Sequence, residues 1–235
     1  MPSSAVDVKF SDGELEALKY LALLFMIADH VNKYLFNGTL PFCYEVGRLA
    51  LPLFAFILGY NCARANISSI SLLKVVKRLF IFGILATPPH AYLGNIYAIW
   101  PLNILFTLAA SVLVIYLLVE ERAITGLLVF LIAGFFVEFF HVGVLLPIAS
   151  YYLFKTKQLR FLFLIVFCLL SLTFINNNYY ALSSLIVVFL FKPLSINYTR
   201  PKWSKWLFYY FYPVHLIAFI IIRIPMREAG YLFFT

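Results

Sequence analysis

Apolar runs about as long as a membrane span follow one another along this chain, separated only by short clusters of lysine and arginine. The 235 residues are 64% hydrophobic and only 12% charged, with a mean hydropathy of +0.95. Soluble domains run nearer 45–50% apolar and about 25% charged. A single core cannot take up so much apolar surface, so lipid must solvate much of it. The pattern predicts an all-α fold, a polytopic transmembrane helical bundle. Nine helices are expected, at 17–36, 46–64, 73–91, 102–119, 124–140, 143–155, 159–176, 179–193 and 204–224. Pro52, Pro147 and Pro213 are expected to bend their helices, and Pro88–Pro89 to break the third near its end.

The whole chain, 1–235, reads as one integral membrane domain with a polar cytoplasmic segment at 1–14 and no internal repeat. Leu18–Phe36 is too long for a signal-peptide core and is expected to remain in the mature protein. Cys43, Cys62 and Cys168 are scattered, with neither a disulfide framework nor zinc-ligand spacing, and read as packing residues. The net charge of +8 does not point to nucleic acid, because the basic residues fall between apolar runs. With the amino terminus on the basic side, that side holds fourteen of the eighteen Lys and Arg residues. They include Lys9, Arg64, Arg122, Lys157, Lys192, Arg200, Lys202 and Lys205. Lys33, Arg48, Arg223 and Arg227 remain for the other side. The positive-inside rule then predicts a cytoplasmic amino terminus and an external carboxyl terminus. Trp203, Trp206, Tyr209 and Tyr210 read as an interfacial aromatic belt.

Against this background Asp29 and His30 stand out. An Asp at the centre of a membrane helix costs roughly 2.5–3.5 kcal/mol even on the lenient insertion scale, so such groups mark a functional site or, on the plainer reading, a buried ion pair that fixes helix packing. Helical geometry puts Lys19, His30 and Lys33 within about 40° of one another, with Asp29 about 80° to one side. Arg48, expected at the outer start of the second helix, is the natural partner for Asp29. Asn103, opening the fourth helix, could orient a substrate carbonyl or satisfy a helix end. His215 lies about 16 Å into the last helix at 1.5 Å per residue, at the level of His30. His90 and His141 sit at outer loop edges without charged neighbours and read as surface or packing residues. No HExxH, glycine-rich phosphate loop or Gly-x-Ser-x-Gly elbow occurs, and no metal is expected. A His beside a carboxylate, with an Arg and a second His, suits acyl transfer. His30 would act as general base or acyl carrier, and Arg48, Asn103 or His215 would stabilise the oxyanion.

Five strings extend this reading. They are Leu18-Lys19-Tyr20-Leu21-Ala22 with Met26 and Asp29-His30; Gly47-Arg48-Leu49-Ala50-Leu51-Pro52-Leu53-Phe54-Ala55; Asn103-Ile104-Leu105-Phe106-Thr107-Leu108; Val142-Gly143-Val144-Leu145-Leu146-Pro147; and Phe208-Tyr209-Tyr210-Phe211-Tyr212-Pro213-Val214-His215-Leu216. In this order, across nearly the whole chain, they resemble the TraX family of F-pilin acetylation proteins from conjugative transfer systems. The resemblance implies a multi-pass protein of the bacterial inner membrane that acetylates the amino terminus of a pilin subunit with acetyl-CoA as donor. It also implies catalytic roles for Asp29, His30, Arg48, Asn103 and His215. A cytoplasmic donor and an outer site would need a pore that admits the pantetheine arm. Arg64, Lys74, Lys77 and Arg78 are the expected phosphate-binding residues at its cytoplasmic mouth. Two other readings use the same features: a membrane acyltransferase acting on an envelope glycan, and a non-enzymatic transporter or pilus-assembly protein.

Overall fold

The first helix begins five residues before the predicted span, because a capping box outweighs hydropathy there. Ser11 Oγ accepts the Glu14 amide at 3.1 Å and Glu14 Oε2 accepts the Ser11 amide at 2.7 Å, so two otherwise orphaned donors are satisfied. In the computed structural model, which describes residues 9–96, 100–191 and 204–231, helix α1 (Asp12–His30) runs straight into a π-helical turn, Val31–Leu35. The wider turn changes the phase of the last residues and buries Asn32 and Tyr34 while Lys33 stays exposed. Asn32 Oδ1 then accepts the Leu40 amide at 2.8 Å and ties down the loop.

The predicted second helix is two. α2 (Pro41–Gly47) starts with Pro at its first turn, and α3 (Ala50–Ala63) follows after a break at Arg48–Leu49. Arg48 therefore sits at the joint between two helices rather than at the start of one.

α4 (Ser69–Gly94) carries Pro88 and Pro89 within it, so the expected break at that pair does not occur. The prolines withdraw the amides that would reach Ile84 and Leu85. One residue earlier, Thr87 Oγ1 and Asn103 Nδ2 both donate to Gly83 O, at 2.9 Å each. α5 (Ile104–Val119), α6 (Ala123–Phe136), α7 (Phe140–Thr156), α8 (Arg160–Asn176), α9 (Ser183–Phe191) and α10 (Ser204–Glu228) complete the described helices, and no strand occurs among the described residues. The turn between α6 and α7 falls at Val137–Phe139, a few residues earlier than hydropathy alone predicts. It is pinned to the start of α5, where Leu102 N donates to Phe136 O at 2.7 Å and Glu138 N donates to Leu102 O at 2.9 Å.

The helices pack as α3 on α7, α4 on α5 and α10, and α1 on α2 and α3. Gly59 makes the α3–α7 approach possible, since a Cβ there would stand 2.5 Å from Ser150 Cβ and 2.6 Å from Pro147 O. Cys62 and Cys168 lie in the core, as packing predicts. Outward faces remain apolar: Ile124, Phe135, Phe163, Phe174 and Ile221 are all exposed. Three stretches, Pro41–Ala63, Leu159–Asn176 and Trp206–Glu228, are long and apolar enough to cross a membrane. Together these features make this an all-helical membrane protein. Lys192, Arg200, Lys202 and Trp203, which contributed to the charge and aromatic patterns, lie outside the described residues.

Candidate functional site

A cavity of about 860 Å³ runs inside the bundle, within the range of small-molecule sites. Toward one end its wall includes Asp29, His30, Lys33, Tyr34, Arg48, Glu138 and Tyr212. Toward the other it includes Asn61, Arg64, Asn66, Ser71 and Arg78. Apolar side chains such as Phe54, Leu58, Val75 and Leu108 line the stretch between. Arg48 and Arg64 flank α3, about 24 Å apart at 1.5 Å per residue.

Asp29 and Arg48 meet as expected. One guanidinium nitrogen, Nη2, bonds Asp29 Oδ1, and the side chains are largely buried, 18% and 14% exposed. The helix joint brings Arg48 back toward α2, where its guanidinium lies 4.4 Å over the Tyr44 ring and Nε donates to Tyr44 O at 3.3 Å. Nη1 donates to Asn176 Oδ1 at 3.3 Å, and Tyr44 Oη donates to Asn176 O at 2.7 Å, linking this corner to the end of α8.

His30 and His215 are also brought together. His30 Nδ1 lies 2.7 Å from His215 Nε2, and the rings are within 4° of parallel with centroids 4.9 Å apart. That is an end-to-end hydrogen bond in the ring plane, not face stacking. The tautomers follow from the next partner. His215 Nδ1 lies 2.9 Å from Phe211 O, and a carbonyl only accepts, so Nδ1 carries the proton. In the neutral ring Nε2 is then an acceptor, and His30 Nδ1–H donates to it. The lone pair of His30 is left on Nε2, in a residue that lines the cavity. A histidine held in one tautomer by a second group in this way can serve as a general base. His215 therefore stands behind His30 as its orienting partner.

Asn103 is placed differently. It is 1% exposed, its Oδ1 accepts the Leu105 amide at 3.1 Å, and its Nδ2 donates to Gly83 O and Thr87 Oγ1 at 2.9 and 3.2 Å. Its polar atoms are used in capping α5 and fastening it to α4, so of its two expected readings the structure realises the helix end. Lys74 and Lys77 also depart from the expected cluster. Ser71, Val75 and Arg78 share the α4 face that lines the cavity, whereas Lys74 and Lys77 are exposed outside it. Arg64 and Arg78 do line it. Arg64 Nη2 pairs with Asp12 Oδ1 at 2.5 Å, and the Arg78 guanidinium lies 4.7 Å over the Trp206 ring.

The site also holds groups that sequence reasoning passed over. Glu138, in the α6–α7 turn, is the only carboxylate between Arg122 and Lys155, and the cost of charge in lipid that singled out Asp29 applies equally to it. It lies beside the Ile104 amide at the start of α5. His90, expected as a surface or packing residue, is 4% exposed and its Nε2 is 3.7 Å from Glu138 Oε1. Its neighbour comes from a helix pair far away in sequence, so no local pattern could reveal it. His141 is exposed, with Nε2 3.0 Å from Leu131 O, away from the cavity. No group of three or more His, Cys, Asp or Glu among the described residues is arranged to hold a metal ion.

Comparison with known proteins places the chain in a family. The family model described as TraX protein matches residues 14–223. A curated relative, Protein TraX of Escherichia coli, is 32% identical over 103 residues, 43% of this chain. The matched stretch spans only 39% of that relative's length. No solved structure matches the chain.

Proposed function

Because this chain belongs to the TraX family of conjugative transfer systems, we propose that it is a membrane-embedded acetyltransferase that moves an acetyl group from acetyl-CoA to the amino-terminal amine of a pilin subunit. The observation that carries this reading is the continuous cavity joining the His30–Arg48 cluster to Arg64 and Arg78. A site that only fixed helix packing would not need an opening of that length.

The charge bias orients the molecule with Arg64 and Arg78 toward the cytoplasm and His30 toward the outer face of a bacterial inner membrane, crossed by the chain several times. A thioester donor enters from the basic end. Arg64 and Arg78, with Asn61, Asn66 and Ser71 near them, hold its phosphates, a task suited to guanidinium geometry. The apolar middle of the cavity receives the pantetheine arm, and the thioester supplies an activated acyl carbon at the outer end. There His30 Nε2 takes a proton from the attacking nitrogen. Arg48, fixed by Asp29, Tyr44 and Asn176, faces the carbonyl oxygen as it becomes an oxyanion. The C–N bond forms, the C–S bond breaks, and His30 returns its proton to the departing thiolate. Asn103 takes no part in the chemistry on this reading.

The direct test uses the purified full chain in lipid nanodiscs, acetyl-CoA, and a synthetic peptide carrying a pilin-like amino terminus. Mass spectrometry should find one added acetyl group at the α-amine, formed about 10²–10⁴-fold more slowly by a His30→Gln chain. Transfer by the His30→Gln chain at the wild-type rate would remove His30 from the chemistry, and no transfer by the wild type would remove the activity itself.

A further inference from the structure

Acetylating an amine differs from acetylating a hydroxyl in its proton count. At neutral pH an α-amine, with a pKa near 8, is largely an ammonium. It must lose one proton before it can attack and a second as the amide forms. One general base suffices for a hydroxyl; an ammonium is better served by two. His30 accounts for one.

The outer end of the cavity contains a second proton acceptor. Glu138 lines it, with its side chain 22% exposed, and His90 stands behind at 3.7 Å, too long for a hydrogen bond. Both ring nitrogens of His90 are buried without a hydrogen-bond partner. A fully buried imidazole left bare on both sides, beside a carboxylate that meets the cavity, is more than helix packing requires. The charged and titratable groups around Glu138 are Asp29 and His30 from α1, Lys33 and Tyr34 from the π-helical turn, Arg48 from the α2–α3 joint, His90 from α4 and Tyr212 from α10.

We propose that Glu138 is a catalytic residue that binds the acceptor as an ammonium and takes its first proton, with His90 behind it as the positioning partner. This rests on the amine reading above. In the step, the ammonium N–H bond breaks, its electron pair stays on nitrogen, and Glu138 becomes the neutral acid. The free amine then attacks the thioester carbonyl, the C–S bond breaks, and His30 moves the second proton from nitrogen to the thiolate. Glu138, which meets the cavity, gives its proton to the bulk water that enters as product leaves, and is reset.

Two acceptors test it in the nanodisc assay: a peptide with an ordinary α-amine, and the same peptide capped with an aminooxyacetyl group, whose nitrogen is uncharged at neutral pH. Glu138→Gln should lose about 10²-fold or more on the α-amine peptide at pH 7 while staying near wild type on the oxyamine. Its rate on the α-amine should climb about tenfold per pH unit below the amine's pKa, relative to a flatter wild-type profile. Glu138→Asp should restore part of the α-amine rate, and His90→Asn should lose in the same direction but less. An equal loss on both acceptors at every pH would reduce Glu138 to a structural residue and overturn the proposal alone. A wild-type chain that acetylates neither nitrogen but does acetylate a sugar hydroxyl would overturn the amine reading, and this proposal with it.

Discussion

Gly47 lies directly against Asp29: a Cβ at position 47 would stand 2.5 Å from Asp29 Cβ and 2.8 Å from its Oδ1. The glycine that precedes Arg48 is thus what lets the carboxylate of α1 reach the guanidinium at the helix joint. Gly47→Ala should push Asp29 off its partner and destabilise the protein by about 1–3 kcal/mol, as overpacking does. Gly126→Ala, where the nearest atoms would be 3.6 Å away, is the matched control. Thermal unfolding in detergent compares the two, and equal melting temperatures would mean that the corner adjusts freely.

The ion pair itself should be asymmetric to mutation. Breaking a buried pair from one side costs about 3–5 kcal/mol, because the other charge is left behind. Asp29→Asn should therefore lower stability in the same unfolding assay. Arg48→Lys should not restore it, since an ammonium cannot reach Asp29, Tyr44 and Asn176 together from one planar fork. A wild-type melting temperature for Arg48→Lys would show that only the charge matters.

His30 and His215 should separate by role. His30→Gln removes the base and should lower acetyl transfer about 10²–10⁴-fold with normal amounts of protein in the membrane. His215→Phe keeps the ring packing against Phe211 and Phe219 but leaves His30 Nδ1 without its acceptor, freeing the tautomer. Its loss should be real but smaller. Equal losses in the two variants would make His215 a base in its own right.

At the basic end, Arg64→Gln with Arg78→Gln should raise the half-saturating acetyl-CoA concentration, and added salt should shrink the difference from wild type by weakening the wild-type contacts. Lys74→Gln with Lys77→Gln should leave it unchanged, because those side chains lie outside the cavity. The reverse pattern in initial-rate measurements would move the phosphate site to the exposed lysines.

Orientation is tested by labelling. With Cys43, Cys62 and Cys168 replaced, a cysteine at Lys157 should resist a membrane-impermeant thiol reagent in intact cells and one at Asn177 should react. The opposite pattern would invert the molecule and put the donor end outside.

Hydropathy and charge by themselves determined the membrane class, the helical architecture and the approximate spans, because burying apolar surface in lipid is a property of each segment alone. They also exposed Asp29–His30, whose cost in hydrocarbon is visible without any partner. Helix ends were less legible: Ser11–Glu14 capping, the π-helical turn at Val31–Leu35 and the continuation through Pro88–Pro89 depend on hydrogen bonds that hydropathy does not record. What only tertiary structure decided is which polar groups share a surface. Asn103 and His215 look alike as polar residues in apolar helices. Packing engages the polar atoms of Asn103 with Gly83, Thr87 and Leu105, and sets His215 against His30. Lys77 and Arg78 are neighbours in sequence, yet one helical step, about 100°, leaves only the second facing the cavity. Glu138 and His90 lie 48 residues apart and meet because the α6–α7 turn is hydrogen-bonded to Leu102 at the start of α5. Such contacts are set by the crossing of helices distant in sequence, and no local window of residues contains them.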